Sequence, residues 1–535
     1  MRFFPSAMLV FLLVTVQMSQ AGANTRWVIT ASNWSQQNEL DYERFVHNIG
    51  IQQCNTLQSC LTSSANPYYS DPREMSLFQS VPFDCAKLPY VLRAYFAWKN
   101  GLPFSYTSSI HPIGDVGASG DERYSQFGNT VTGRETIRSG SDAISDIMDI
   151  ASTVNTAMFR IPPDQDVNGN LFPDFYSADL TRDQIHPGTA LYDPNGHVAV
   201  VYQVENDGRI RFMDAHPDRS LTHGTYGQEF MRSRPAAGAG FKNWRPVTYS
   251  AGSHPQGAHN DDIQGYSLKQ YFGNRPSSDG SWSGGQFVIS GRTMDYYEYL
   301  RNALAAGQLK YNPADEETNM MRSICSDLHA RVDSVDSAIA AGMPSQAHPD
   351  RLPGNIYGTS GDWENYSSPS RDARLKASFH ELRTQVEHMV QLVSSRSPQV
   401  SYAGDAVSLG RDLLGIYDRE ARACVISYKK SDGSTQRLSF EQIRQRLFNL
   451  SFDPYHCAEL RWGASGAELN SCTSDSNKME WYKGEARLRN QIERDYNIMM
   501  NFSVDDLLSA NPPRGSGVDQ HADVDTRAYL VQTSH

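Results

Sequence analysis

Positive charge is in short supply in this chain. Its 535 residues hold 48 Lys and Arg against 60 Asp and Glu, a formal net charge of -12. Nucleic acid and anionic lipid surfaces both call for a basic partner, so no nucleic-acid ligand is expected. Long apolar runs are equally scarce. One covers Ala7 to Val16, and ten residues are too few to span a bilayer. It follows Arg2 and precedes Ala21-Gly22-Ala23, the order of a positive n-region, an apolar h-region and a small-residue cleavage site. The expectation is a signal peptide over 1–23, a mature chain from Asn24, and a periplasmic or secreted protein with no integral membrane segment after cleavage. Metal-ligand spacing is lacking around the site histidines too: none of His111, His186 and His216 has a ligand spacing with a Cys or a second His, so no zinc site and no cofactor are expected. Asp164 to Asn170 copies half of a calcium loop, but its twelfth position is Phe175 rather than Glu, and a solvated turn is the better reading.

Cysteine is sparse and odd in number. The seven are Cys54, Cys60, Cys85, Cys325, Cys424, Cys457 and Cys472. In an oxidising compartment an odd count leaves one thiol over. Cys54 and Cys60 lie close enough for a local bridge, Cys457 and Cys472 flank one loop, and Cys325 and Cys424 share the downstream region. Spacing does not fix these pairings, but the residue left out of them is Cys85.

Cys85 also opens the most chemically suggestive stretch. Asp84-Cys85 precedes a helix-like apolar run through Trp98; Pro89 either begins the regular helix or kinks its first turn, and both leave Cys85 at or just before the helix start. A helix start favours thiolate over thiol. Further on, Gly196-His197-Val198 opens a Val-rich strand, Asn206-Asp207-Gly208 signals a hairpin, and Asp214 ends the returning strand. A thiol nucleophile needs an attacker, a base and a group that orients the base, and Cys85, His197 and Asp214 supply those types. The Cys85 N–H and the Gln79 side chain are candidate oxyanion donors. Register raises a difficulty. With a two-residue turn at Asp207-Gly208, Asp214 faces Val201, roughly 13 Å along from the position opposite His197. A bulge or strong twist must close that gap, or His216 or Asp218, on the same face, orients His197 instead.

These motifs resemble the papain-like thiol superfamily, especially NlpC-type and CHAP-type peptidoglycan hydrolases and the transglutaminase-like proteins. Asp84-Cys85 at a helix start is similar to theirs, as is Pro187-Gly188-Thr189-Ala190-Leu191-Tyr192 followed by Gly196-His197-Val198. The step from His197 to Asp214 resembles that of papain itself. Two features depart from the pattern: the long gap from Cys85 to His197, which implies an insertion near 105–185, and Asp at the third position, where many NlpC-type enzymes have His. The resemblance covers about 81–217 and implies amide hydrolysis through a Cys85 thioester, with a peptide or peptidoglycan stem peptide as substrate. Transglutaminase-like acyl transfer and a non-catalytic exported binding protein remain the alternatives.

The rest of the chain sets the architecture. Residues 232–292 are rich in Gly, Ser, Pro and Asn and read mostly as surface loops. From Asp295 the character becomes helical. Leu375, Phe379, Leu382, Val386, Met389 and Val393 mark an amphipathic helix. Gly342 to Ser370 reads as a connector, Ala423 to Leu438 as a hairpin, Ser439 to Gln442 as a capping box, and Lys478 to Met499 as a long helix. The predicted fold is α+β: a papain-like domain over 24–300, a mainly helical, disulfide-stabilised region over 301–509, and a polar tail over 510–535.

Overall fold

Six strands between Phe175 and Trp244 pair into one antiparallel sheet. They are β1 (Phe175–Ser177), β2 (Ala190–Asp193), β3 (His197–Val204), β4 (Ile210–Ala215), β5 (Leu221–Thr225) and β6 (Gly240–Trp244), in the spatial order β1-β6-β2-β3-β4-β5. The computed structural model describes residues 25–80, 83–114, 116, 120–194, 196–250, 254–307, 309–357, 361–494 and 498–535, so the expected leader lies outside the described residues. The chain is a mixture of α and β structure, 41% helix and 16% strand, with antiparallel sheets.

Strand alternation divides β3 between two cores. Val198, Val200 and Tyr202 join the core under α1 (Gln36–Ile51), α2 (Lys87–Lys99) and α3 (Ala143–Thr153). Ala199 and Val201 face the other way, into a cluster with Phe212, Phe230 and α4 (Tyr296–Leu304). With both faces covered, the strand reads as the near-continuous apolar run seen in the sequence. Helix α2 is buried from Leu88 to Trp98. Pro89 sits in its first turn, where a missing N–H leaves no hydrogen bond unmade.

The downstream half is built on α5 (Pro313–Ala340), α6 (Pro369–Ser394) and α7 (Ala406–Ala423). Its core includes the expected stripe of Leu375, Phe379, Leu382 and Val386, together with Ile324, Leu328 and Leu413. The hairpin forms as Val425–Lys429 against Thr435–Ser439, and Ser439 caps the next helix with Gln442 in a capping box. Three disulfides join Cys54 to Cys60, Cys325 to Cys424 and Cys457 to Cys472. They are compatible with an exported protein. Among the described residues no helix is long and apolar enough to cross a membrane.

Four segments differ from their sequence patterns. Gly240–Trp244 is an interior strand of the sheet, although residues 232–292 read as loops; its polar residues Lys242 and Asn243 are buried and hide the usual alternation. The connector over 342–370 contributes buried Leu352, Ile356 and Trp363 to a core of its own. The long C-terminal helix is two short ones, Ser476–Gly484 and Ala486–Asn490. The tail ends in α8 (Thr526–Thr533), which docks Leu530, wholly buried, in the helical core.

One buried ion pair ties α5 to α6. Arg331 donates to Asp372 from Nε at 2.7 Å and from Nη2 at 3.0 Å, and both side chains are 1% exposed. Removing one partner strands the other charge away from water. Asp372→Ala is therefore expected to destabilise the chain by about 3–5 kcal/mol, read as a lower midpoint in urea unfolding. A change below the error of that titration contradicts the assignment.

Candidate active site

The route by which Asp214 reaches His197 is visible in the strand register. Val204 pairs with Ile210, so the turn is one residue longer than a two-residue hairpin. A bulge between Val201 and Gln203 then moves the register by another residue, and Val200 pairs with Met213. Asp214 therefore falls opposite Ala199 instead of Val201, one diagonal step from His197 on the same face. His197 Nε2 donates to Asp214 Oδ2 at 2.7 Å.

Both groups are buried, and Asp214 is gripped from several sides. Thr222, opposite it on β5, donates its hydroxyl to Asp214 Oδ1. His216 Nε2 donates to Thr222 Oγ1 at 2.9 Å and lies 3.4 Å from Asp214 Oδ2. Burial alone would raise the Asp214 carboxyl; His216, the His197 hydrogen bond and Thr222 outweigh it and hold the group well below the usual carboxylate range. Burial lowers the His197 pKa, Arg374 adds to the effect, and Asp214 opposes it. The imidazole is thus neutral at pH 7, protonated on Nε2, with Nδ1 left as its basic nitrogen.

His197 is positioned by the turn before it. Gly196 has φ +79°, and a Cβ there would meet the Tyr124 hydroxyl at 2.9 Å. Asp193 pairs with His197 across β2 and β3 and is wholly buried. Arg494, from the downstream half, holds Asp193 at 3.1 Å, and Arg160 donates to the Pro194 carbonyl at 3.0 Å.

Cys85 is the free cysteine and is half-buried. Its thiol donates to the Gly196 carbonyl at 3.8 Å, a weak contact that nevertheless places the sulfur against the residue preceding His197. Cys85 and His197 line one cavity of about 120 Å³ together with His216, Asp218, Trp363 and Arg374. The expected thiolate-favouring helix start is corrected here. Asp84 occupies that position: its Oδ1 accepts from the N–H groups of Ala86 at 3.1 Å and Lys87 at 3.3 Å. The first-turn donors therefore serve a carboxylate, not the thiol. Burial first, and Asp84 next, push the Cys85 thiol up to about 12, against the smaller pull of the Val198 N–H and Arg374.

The remaining candidates fall out as follows. Gln79 is exposed on the short helix Glu74–Ser80 and does not line the cavity that holds the thiol; its own carbonyl accepts from Arg219. His216 stacks on His197 with ring centres 6.0 Å apart and steadies Asp214 through Thr222, so it does not orient the base directly. Asp218 is occupied by Ser220 and by Arg371 at 3.7 Å. Asp166 of the calcium-like loop accepts from the Asn260 N–H at 2.9 Å and from His259 at 3.1 Å.

Four residues went unnoticed in the sequence. Thr222 carries no motif signal. Trp363 belongs to the segment read as a connector, Arg371 stands one turn before the apolar stripe of α6, and Arg374 lies at the edge of that stripe, where solvent was the natural expectation for a charged side chain. Away from this site, His348, Asp453 and Glu485 bring ligand atoms within 4.8 Å of one another, all buried, from positions too far apart in the chain to suggest a cluster. His348 Nε2 is 2.7 Å from Asp453 Oδ2. Cys457 and Cys472 flank Glu459 but are bridged to each other, so their sulfurs are not available as ligands.

Comparison with family models, curated proteins and solved structures returned no match.

With a raised thiol pKa, the thiolate fraction grows about tenfold per pH unit below that pKa. The ultraviolet thiolate absorbance of Cys85, taken as the difference between the native chain and Cys85→Ala, is therefore expected to stay negligible from pH 6 to pH 9. A step in that difference below pH 8 contradicts the protonated resting thiol.

Proposed function

We propose that this chain is an exported thiol hydrolase that cleaves an amide or peptide bond at Cys85. The observation that supports it most is the shared cavity in which the lone unbridged thiol abuts Gly196, directly before a buried His197 paired to Asp214. A papain-like assignment of the site fits the role of each group. His197 uses Nε2 for Asp214, which leaves Nδ1 for the thiol proton.

The chemistry follows from a neutral resting pair. As Cys85 Sγ bonds to the carbonyl carbon, His197 takes the thiol proton and the carbonyl π pair moves to oxygen. Asp214 stabilises the imidazolium that forms. The Cys85 N–H makes no hydrogen bond to a described residue and is the candidate donor for that oxyanion. Collapse expels the amine, which takes its proton from His197. Water then attacks the thioester, His197 accepts one of its protons, and the acid and the free thiol are released.

Location and substrate follow from separate observations. The leader pattern and the three disulfides favour a periplasmic or secreted protein. The likeness to cell-wall hydrolases makes peptidoglycan stem peptides the leading substrate.

The test uses the full exported protein with soluble peptidoglycan fragments, with and without hydroxylamine, read by mass spectrometry. New carboxyl and amine ends are expected in water, and hydroxamates when hydroxylamine intercepts the thioester. Cys85→Ala should yield neither, and Asp214→Asn should slow both by about 10²–10⁴-fold. Hydroxamates or amine adducts without hydrolysis favour the transferase alternative. Products undiminished in Cys85→Ala contradict the proposal, and no turnover at all favours an exported binding protein.

A further inference from the structure

Arg374 stands out among the cations around Cys85. Arg371 engages Asp218 at 3.7 Å, and Arg494 engages Asp193 at 3.1 Å. No described residue forms a hydrogen bond or ion pair with the Arg374 guanidinium. Yet Arg374 lines the Cys85 cavity and also a second cavity of about 350 Å³, which shares His197, His216 and Arg371 with the first. A guanidinium carries five N–H donors, and leaving them without an acceptor in a partly desolvated site is unfavourable.

The surroundings narrow the missing partner. Asp193, Asp214 and Asp218 lie close by, so a doubly charged phosphate meets more repulsion than a single carboxylate does. The larger cavity is also lined by Glu229, Glu381 and Asp327, and Asp327 lies near enough to Arg374 and Arg371 to feel their charge. Burial, and then Glu381, raise Glu229 well above its usual range, and burial pushes Glu381 and Asp327 up to about 7. The wall is therefore less anionic than its composition suggests. A planar fork beside a carbonyl-attacking thiol matches a carboxylate bidentately.

We propose that Arg374 binds a carboxylate of the substrate beside Cys85, so that the site takes acidic peptides or acyl groups bearing a free carboxylate. This rests on the reading of Cys85 as a nucleophile. Arg374 thereby becomes a specificity-determining residue contributed by the downstream half of the chain.

Iodoacetate and iodoacetamide differ at the group Arg374 would read, and both report on Cys85 itself. In the full-length protein the iodoacetate-to-iodoacetamide rate ratio at Cys85 is expected to exceed that of glutathione roughly tenfold or more. Acetate, a competing monocarboxylate, should slow the iodoacetate reaction in the unaltered protein, a readout that needs no variant to fold. Arg374→Gln should return the ratio to the glutathione value, and Arg374→Lys, which keeps the charge without the fork, should retain only part of the excess. A ratio equal to that of glutathione and indifferent to acetate, with Cys85 still alkylated, overturns the carboxylate site while leaving the thiol reading intact. Failure of both reagents to label Cys85 overturns the nucleophile reading, and the inference with it.

Discussion

Asp214 is 4% exposed, and a carboxylate in such a place cannot remain ionised on its own. Removing it from water costs several kcal/mol, and each hydrogen bond to a charged group returns roughly 1.5–3 kcal/mol. His197 and Thr222 each donate to one oxygen, and His216 supports Thr222 from behind. That arrangement has a chemical consequence. The ionised Asp214 fixes the tautomer of His197 and leaves Nδ1 as the basic nitrogen beside the cavity that holds Cys85. The bulge in β3 and the longer turn to β4 exist in the same register, and without them Asp214 would lie too far along the strand.

The downstream half enters this constellation through charge. Arg494 neutralises Asp193 behind the turn that presents His197, Arg371 faces Asp218, and Arg374 lies against both cavities. Trp363, from the 342–370 segment, lines the same cavity as the thiol. The helical region is thus a wall of the site as well as a second core. This also explains the state of the thiol. Enclosure removes water from Cys85, and Asp84 at the helix start adds a negative charge, so the resting group is a thiol rather than a thiolate.

Local chemistry was legible in the sequence, and its spatial closure was not. The odd cysteine, the strand opening at His197 and the hairpin were readable because each rests on short-range patterning: cysteine number, Val-rich alternation and an Asp-Gly turn. The amphipathic stripe of α6 was readable for the same reason. The β-bulge at Tyr202 was not, since a single extra residue leaves no mark in a strand of Val, Tyr and Gln. Strand Gly240–Trp244 escaped because a central strand with buried Lys242 and Asn243 breaks the expected alternation. Arg374 escaped because charge at the edge of an apolar stripe reads as solvated until another half of the chain is packed against it. Asp84 was read with the nucleophile, whereas its carboxylate caps the helix and opposes ionisation of the thiol.

The dependence of the thiol on His197 is tested most directly by the rate of Cys85 alkylation at pH 7 in the native chain and in His197→Ala. A base-assisted thiol predicts that loss of the imidazole slows labelling at Cys85 by roughly 10²-fold, with the three disulfides left closed. Equal rates in the two proteins would contradict the pairing of Cys85 with His197.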